Sequence, residues 1–169
     1  MRVLLLVAAL AAPAAALPPP DEAGLIYGHA LPAPNGSRRL GQRYSLLAGT
    51  ARWPVGPAAV RVETRAGGFH RPAGAGLAGL TLGLEARPLP WLAVEGGVGS
   101  LWTDFIGLEM RYNFSLFAGA ALLVPLKGPL SLRLGYRFEH FSNAGLRRPN
   151  AGLNGHVPYF GISIRLPSR

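Results

Sequence analysis

Strict alternation between apolar and polar side chains constrains this chain more than any other feature. In residues 130–141 one row is apolar and the other is polar, small or charged. The apolar row consists of Leu130, Leu132, Leu134, Tyr136 and Phe138, and the other row of Ser131, Arg133, Gly135, Arg137 and Glu139. The same period of two recurs in residues 60–65 and 80–85. Such alternation predicts β-strands with two different faces.

Turn signals divide the chain into eight predicted strands, with no helix of normal length between them. These strands cover roughly residues 24–31, 43–53, 59–69, 77–88, 91–101, 112–125, 130–141 and 157–166. Three connections are short turns rich in Pro and Gly, and the other four are longer, roughly seven to fifteen residues. An even number of strands, with short turns at one rim and long loops at the other, is typical of an outer-membrane barrel.

We therefore predict an all-β fold, an eight-stranded antiparallel transmembrane β-barrel with short periplasmic turns and longer extracellular loops. Eight strands enclose a lumen that side chains can fill, so a pore is not expected. The alternative is a soluble lipocalin-like barrel or sandwich, in which the apolar row faces a core and the charged row faces water. Period alone leaves both open. A barrel in lipid, however, explains why a chain that is 49% hydrophobic also carries a net charge of +9.

Aromatic side chains near the predicted strand ends suggest interfacial girdles. Those expected at the short-turn rim are Trp53 and Trp91, and those expected at the long-loop rim are Trp102, Tyr112, Phe114, Phe141, Tyr159 and Phe160.

The first sixteen residues have the layout of a secretory signal peptide. Met1 and Arg2 form a short basic start, residues 3–10 are apolar, and residues 14–16 are alanines at which cleavage is expected. A membrane anchor is the alternative, but the apolar stretch is shorter than the about 20 residues that a spanning helix needs. We expect a signal peptide over about residues 1–16 and a single barrel domain over 17–169. The chain has no cysteine, so disulfides cannot stabilise it.

His140 and Ser142 continue the apolar row at the end of the seventh predicted strand. Being two residues apart, they share one face, with Cα atoms about 6.6 Å apart. Imidazole beside a hydroxyl is the smallest unit that activates an oxygen nucleophile, with His as the general base. The alternative is that a strand end merely tolerates two polar residues.

The string around this pair resembles the signature of the PagL-type lipid A 3-O-deacylases, also called acyloxyacyl hydrolases. It runs Tyr-Arg-Phe-Glu-His-Phe-Ser-Asn-Ala-Gly-Leu over residues 136–146 and continues as Pro-Asn-Ala-Gly-Leu-Asn over residues 149–154. The resemblance implies an eight-stranded outer-membrane barrel that removes an ester-linked acyl chain from lipid A.

Carried over to this sequence, the resemblance implies that Ser142 is the nucleophile and His140 its base, while Asn143 and the backbone near Gly145 bind the oxyanion. The family orients its His with a Glu, and Asn154 stands at that position. No Asp or Glu follows Glu139, whose side chain is expected on the opposite face from His140. The amide oxygen of Asn154 can accept the imidazole N–H and fix its tautomer, although it adds no negative charge.

The resemblance also implies the partner, which is lipid A or lipopolysaccharide in the outer leaflet of the bacterial outer membrane. Arginines in the long loops suit its phosphates, and Arg147 and Arg148 are the candidates nearest the site. A solubilising role for these arginines remains the alternative. His29, His70 and His156 are dispersed in the sequence, so we expect no metal and no cofactor. No nucleic-acid partner is expected for an exported chain, and both a monomer and a homodimer remain open.

We predict a serine esterase of the outer membrane that hydrolyses the 3-position acyl ester of lipid A. The alternative is a structural or lipid-binding small barrel whose catalytic site has decayed, and Asn154 is the residue that favours it.

Overall fold

A computed structural model describes residues 19–32, 43–71, 74–104, 111–148 and 152–167, and within them eight antiparallel strands form a closed barrel. The strands are β1 (Glu22–Pro32), β2 (Arg43–Val55), β3 (Ala58–Arg71), β4 (Ala75–Leu89), β5 (Leu92–Thr103), β6 (Tyr112–Pro125), β7 (Leu130–Ser142) and β8 (Leu153–Arg165). The predicted signal peptide, residues 1–16, lies outside the described residues. No helix in the described part of the chain is long and apolar enough to cross a membrane.

Every strand pairs with the next one along the chain, and β8 pairs with β1 to close the barrel. All eight predicted strands are present, which confirms the predicted fold class. The largest difference at a strand end is in β8, which begins at Leu153 rather than near residue 157. Polar and small residues there suggested a loop, but Asn154 and Gly155 pair with His140 and Glu139 of β7. The connection between β3 and β4 is also shorter than predicted, because β3 extends to Arg71 and β4 begins at Ala75.

The outer wall of the barrel is apolar. Leu82, Leu84 and Ile162 are more than half exposed there, whereas Arg61 and Arg137 are almost completely buried inside. A soluble barrel would place the charged row outside, so that alternative is wrong. The wall has the composition required of a surface that contacts lipid.

Eight charged side chains fill the middle of the lumen. Four are arginines and four are glutamates: Arg61, Arg65, Arg133 and Arg137, and Glu63, Glu85, Glu95 and Glu139. The two terminal nitrogens of Arg137 lie 2.9 Å from Glu63 Oε2 and 3.0 Å from Glu95 Oε1. Burial of an unpaired charge costs several kcal/mol, so this mutual pairing is what makes the filled interior possible.

A hydrophobic cluster closes the lumen toward the long-loop rim. The ring of Tyr44 packs against Phe69 and Phe141, with 5.4 Å between ring centroids in each pair. Phe141 therefore points inward, and so does Tyr159, which lies in mid-strand and is also buried. Their place in the girdle at the long-loop rim was wrongly predicted, because alternation along β7 and β8 puts odd-numbered side chains inside. Trp102, Tyr112 and Phe114 do face outward.

Candidate active site on the outer wall

The site begins with two half-buried side chains at the long-loop end of β7, His140 and Ser142. Their neighbours in sequence, Glu139 and Phe141, are 0% and 1% exposed and anchor the strand from inside the barrel. Tyr44 fixes this inner face further, since its hydroxyl donates to Glu139 Oε2 over 2.8 Å. Because side chains alternate along a strand, this inner anchoring turns His140 and Ser142 outward.

Asn154 holds the imidazole. The register of β7 and β8 places Asn154 directly opposite His140, and Nδ1 of His140 lies 2.6 Å from Oδ1 of Asn154. An amide oxygen only accepts hydrogen bonds, so in this pair Nδ1 carries the proton and Nε2 keeps its lone pair. That tautomer is the one in which His acts as a general base through Nε2.

Gly152 lies against the same ring, and the sequence analysis did not identify it. Its φ is +56°, a backbone conformation that favours glycine. A Cβ at this position would approach Cε1 of His140 to 3.0 Å and Nε2 to 3.7 Å. Any side chain there would press on the imidazole, so Gly152 leaves the room that the ring occupies. The sequence alone does not reveal this role of Gly152, because it depends on the positive φ of the folded backbone.

A tight turn follows Ser142. The Leu146 amide donates to the Asn143 carbonyl over 3.0 Å, while Ala144 and Gly145 have φ values of +53° and +79°. Two successive positive values define a type I′ turn. Positive φ at a residue other than glycine costs about 1–3 kcal/mol and often occurs at functional sites. Ala144 therefore holds strained backbone two residues beyond the candidate nucleophile.

The side chain of Asn143, expected to bind an oxyanion, is completely buried within this turn. Its Nδ2 donates to the Arg147 carbonyl over 2.9 Å, and its Oδ1 accepts from the Gly145 amide over 2.9 Å. Asn143 and Gly145, the two expected donors, are thus bonded to each other. In this arrangement Asn143 shapes the loop, and either donor would have to exchange its partner to reach a substrate.

An apolar groove of about 440 Å³ adjoins Ser142 on the outer wall. Its lining residues come from β5, β6 and the end of β7, and they are Val98, Gly99, Ser100, Phe114, Ser115, Leu116, Ser142 and Ala144. The register pairs Phe114 with Ser142, which brings the β6 wall directly beside the hydroxyl. The sequence analysis did not connect β5 and β6 with the site, because their contribution depends on strand order.

A second depression, of about 390 Å³, lies nearer the short-turn rim. Outward residues of β5, β6 and β7 line it, among them Leu92, Ala120, Leu122, Leu134 and Tyr136. Between the two depressions, the paired outward positions of β5 and β6 are Gly96 and Ala118. Because glycine and alanine project little from the sheet, the outer surface is shallow at this point between the two depressions.

The loop after Ser142 carries the two candidate phosphate ligands, Arg147 and Arg148. Both are exposed, and the carbonyl of Arg147 takes part in the Asn143 interaction described above. The structure therefore places both cations on the same rim as His140 and Ser142.

Two histidines that are dispersed in the sequence come together in space. His29 and His70 both lie beside Ser45, because barrel closure brings β1, β2 and β3 side by side. In the described residues, no group of three or more His, Asp or Glu side chains is arranged to hold a metal ion.

Comparison with known proteins is informative at the level of both family and fold. The family model described as lipid A 3-O-deacylase (PagL) matches residues 71–163. The crystal structure of the outer membrane enzyme PagL has a TM-score of 0.58 and 18% identity, and the match covers 84% of this chain and 99% of that chain. A de novo designed transmembrane β-barrel has a TM-score of 0.52 and 14% identity, covering 87% of this chain and 97% of that chain. No curated protein matches significantly.

Proposed function

The chain belongs to the lipid A 3-O-deacylase (PagL) family of outer-membrane barrels, and from this premise we propose that it is a serine esterase that hydrolyses the 3-position acyl ester of lipid A. The contact between His140 Nδ1 and Asn154 Oδ1, beside Ser142 on the lipid-facing wall, is the observation that carries the proposal. It leaves Nε2 of His140 as the base for the hydroxyl two residues away.

The reaction follows the general scheme of acyl transfer to serine. Ser142 Oγ attacks the ester carbonyl while His140 Nε2 takes the hydroxyl proton. The tetrahedral intermediate then collapses, the ester bond breaks, and the proton passes to the 3-oxygen of the sugar as it leaves. Water, deprotonated by the same Nε2, then attacks the acyl-serine, the fatty acid is released, and the proton returns to Ser142 Oγ. The reaction consumes one water and needs no cofactor.

Asn154 supports this cycle by orientation rather than by charge. Its amide oxygen keeps the proton of His140 on Nδ1, which is the required tautomer. When His140 becomes an imidazolium, a neutral acceptor stabilises it less than a carboxylate does, by about 1–2 kcal/mol. We therefore expect an active enzyme that turns over about tenfold more slowly than it would with a carboxylate at this position.

The oxyanion is proposed to bind at the turn after Ser142. Asn143 Nδ2 and the Gly145 amide are the donors that the family resemblance implies, and each would exchange its present partner within the loop. The Ala144 amide is a further candidate, because Ala144 lines the same groove as Ser142. One preorganised donor is worth about 3–4 kcal/mol in the transition state.

The apolar groove is proposed to hold the acyl chain whose ester bond Ser142 attacks. Val98, Phe114 and Leu116 give it hydrocarbon walls, and the second depression extends it toward the short-turn rim. Each methylene group that leaves water for such a surface gains about 0.8 kcal/mol, but a chain that arrives from the bilayer has already left water. The groove therefore determines where the acyl chain lies and which chain shapes fit, and it adds little to the affinity for the substrate.

Arg147 and Arg148 are proposed to contact phosphates of the lipid A headgroup. Guanidinium binds phosphate through two parallel hydrogen bonds, and both side chains are exposed on the rim beside Ser142.

Mass spectrometry of lipid A from bacteria that express the wild type or Ser142→Ala tests the proposal. We expect the wild type to convert lipid A to a form that lacks one 3-position acyl chain, and Ser142→Ala to leave it unchanged. Ser131→Ala is the matched control, since it removes a hydroxyl from the opposite end of the same strand. Identical acylation patterns in the wild type and Ser142→Ala would rule out the enzyme.

A barrel with a decayed site is the second candidate, and the neutral Asn154 at the family's Glu position is the observation that favours it. The variant Asn154→Glu separates the two. A large gain from an inactive wild type would establish decay. Measurable wild-type turnover that Asn154→Glu changes by about tenfold or less would establish that Asn154 already serves the site.

A further inference from the structure

A second group of polar side chains lies on the outer wall, on strands that carry none of the proposed catalytic residues. We call Tyr27, His29, Ser45 and His70 the rim cluster. They come from β1, β2 and β3, at the positions of each strand that alternation turns toward the outside.

Ser45 is the centre of the rim cluster. Its Oγ lies 2.7 Å from Nε2 of His70 and 3.1 Å from Nδ1 of His29, and it accepts a hydrogen bond of 3.1 Å from the Tyr27 hydroxyl. The two imidazole rings are stacked nearly parallel, with centroids 5.7 Å apart. Contacts among all four residues hold the rings at fixed positions on the wall.

The rim cluster lies at the level of the membrane where polar groups are favourable. His29 is three residues from the end of β1, Ser45 is two residues from the start of β2, and His70 is next to the last residue of β3. All three ends belong to the long-loop rim, as do Ser142 and Asn154. Polar side chains cost several kcal/mol in the hydrocarbon core but are stable among lipid headgroups.

The charges around the rim cluster favour an anion. Arg43 is exposed two residues before Ser45, on the same face of β2. The glutamates at 63, 85, 95 and 139 are buried in the lumen and therefore face away from this wall. Each imidazole also retains a ring nitrogen beyond its contact with Ser45, Nε2 in His29 and Nδ1 in His70, as a possible donor.

We propose that the rim cluster, together with Arg43, binds the phosphomonoester of a lipid headgroup in the outer leaflet. Imidazole and guanidinium groups lie on one face, and a phosphomonoester supplies three acceptor oxygens with negative charge. The strand order β7–β8–β1–β2 separates Ser45 from Ser142 by three strand spacings, and the register sets Ser45 level with Tyr136, six residues before Ser142. The cluster therefore lies about 25 Å from Ser142 along the wall, too far for one headgroup to contact both, and the lipid that it binds is a second molecule.

The rim cluster binds rather than reacts. Ser45 lies inside β2, where its neighbours pair with β1 and β3, so the nearby backbone amides are used within the sheet. Ser142, in contrast, is followed by a strained turn. A nucleophile without amide donors beside it has no means of stabilising the oxyanion that its attack would create.

Identification of this lipid as lipid A rests on the proposed function, but binding is measured without turnover. Native mass spectrometry of purified Ser142→Ala protein in detergent compares phosphatidic acid, diacylglycerol and inorganic phosphate as probes. We expect phosphatidic acid to be retained about tenfold more than diacylglycerol, and the added change His29→Phe/His70→Phe to remove that preference. The matched control is His156→Phe, which removes an imidazole from β8 and should keep the preference.

Four results would overturn the proposal. They are equal retention of both lipids, an unchanged preference after the double change, an equal loss in the control, and displacement of phosphatidic acid by inorganic phosphate at the same concentration. The last result would identify a site for free phosphate rather than for a lipid. His29→Gln/His70→Gln retains amide donors and guards against misfolding, because we expect it to keep part of the preference. Tryptophan emission in lipid vesicles verifies that each variant is folded.

Turnover of lipid A is measured separately, with Ser142 intact. Absence of turnover in every protein would refute the proposed esterase, while the binding measurement would still decide the phosphate site.

Discussion

The inner and outer faces of β7 use polar side chains in opposite ways. Inside, Arg137 and Glu139 are buried, and their ion pairs and hydrogen bonds to other strands stabilise the barrel. Outside, His140 and Ser142 are half-buried, and the imidazole contacts the neutral amide of Asn154. Polar groups on the outer face therefore remain able to react, because the inner face alone fixes the position of the strand.

The largest expected difference between the two faces is in catalysis. Ser142→Ala should lower kcat for lipid A deacylation by about 10⁴-fold or more, since it removes the nucleophile. The free energy of unfolding in lipid vesicles should change by less than about 0.5 kcal/mol, because the hydroxyl is at the surface of the barrel. A stability loss as large as that of an inner-face variant would show that the two faces are not separable.

The inner face should show the reverse. Arg137→Met leaves Glu63 and Glu95 with one cation fewer in a closed interior, and we expect the free energy of unfolding to fall by about 3–5 kcal/mol. Denaturant titration in lipid vesicles measures it. Arg147→Met, an exposed cation in the loop, is the matched control for stability and should stay within about 0.5 kcal/mol. A small effect of Arg137→Met would mean that the lumen charges can rearrange around the loss.

Asn154→Ala should lower kcat by about 10–100-fold, because it frees His140 to rotate and to adopt the other tautomer. The matched control is Glu139→Gln, which alters a carboxyl group next to His140 in sequence but on the inner face. We expect that variant to reduce stability while the folded protein keeps most of its kcat. If Glu139→Gln lowered kcat more than Asn154→Ala, then the inner carboxylate would be the group that orients the base.

The smallest effect concerns the groove. Ala118→Phe adds a ring at the low point between the two depressions, beside Gly96. We expect the ratio of kcat/KM between long and short acyl esters to fall by about 3–10-fold, with little change for the shortest ester. Leu130→Phe, at the far end of β7, is the control. Equal changes for all chain lengths would indicate that the acyl chain does not follow this path.

Most of the fold could be predicted because period two is a local property of the sequence. Each strand shows it without reference to its neighbours, so all eight strands were found. Local alternation does not show whether the apolar face points outward or inward, because the alternation of Arg133 with Leu134 fits a soluble barrel equally well. The apolar face is seen to point outward only once the barrel closes around the buried charges. The start of β8 was missed because Asn154, Gly155 and His156 suggest a loop until β7 pairs with them.

The candidate site divides in the same way. His140 and Ser142 could be paired from their spacing, and the Asn154 contact requires only the register of two adjacent strands. The buried amide of Asn143 and the positive φ of Ala144 and Gly152 are properties of a folded loop, and residue types did not reveal them. The rim cluster was the hardest feature to predict from the sequence, because Ser45 is 16 and 25 residues from its two histidines and no local pattern joins them.

The balanced lumen also determines how the protein meets its surroundings. The four arginines and four glutamates in the middle of the barrel cancel, so the net charge of +9 is carried entirely outside them. At the long-loop rim and in its loops the sequence places seven arginines, Arg38, Arg39, Arg43, Arg71, Arg111, Arg147 and Arg148, against Asp104 and Glu109. In a leaflet of anionic lipids, this basic rim neutralises part of the negative charge of the neighbouring phosphates.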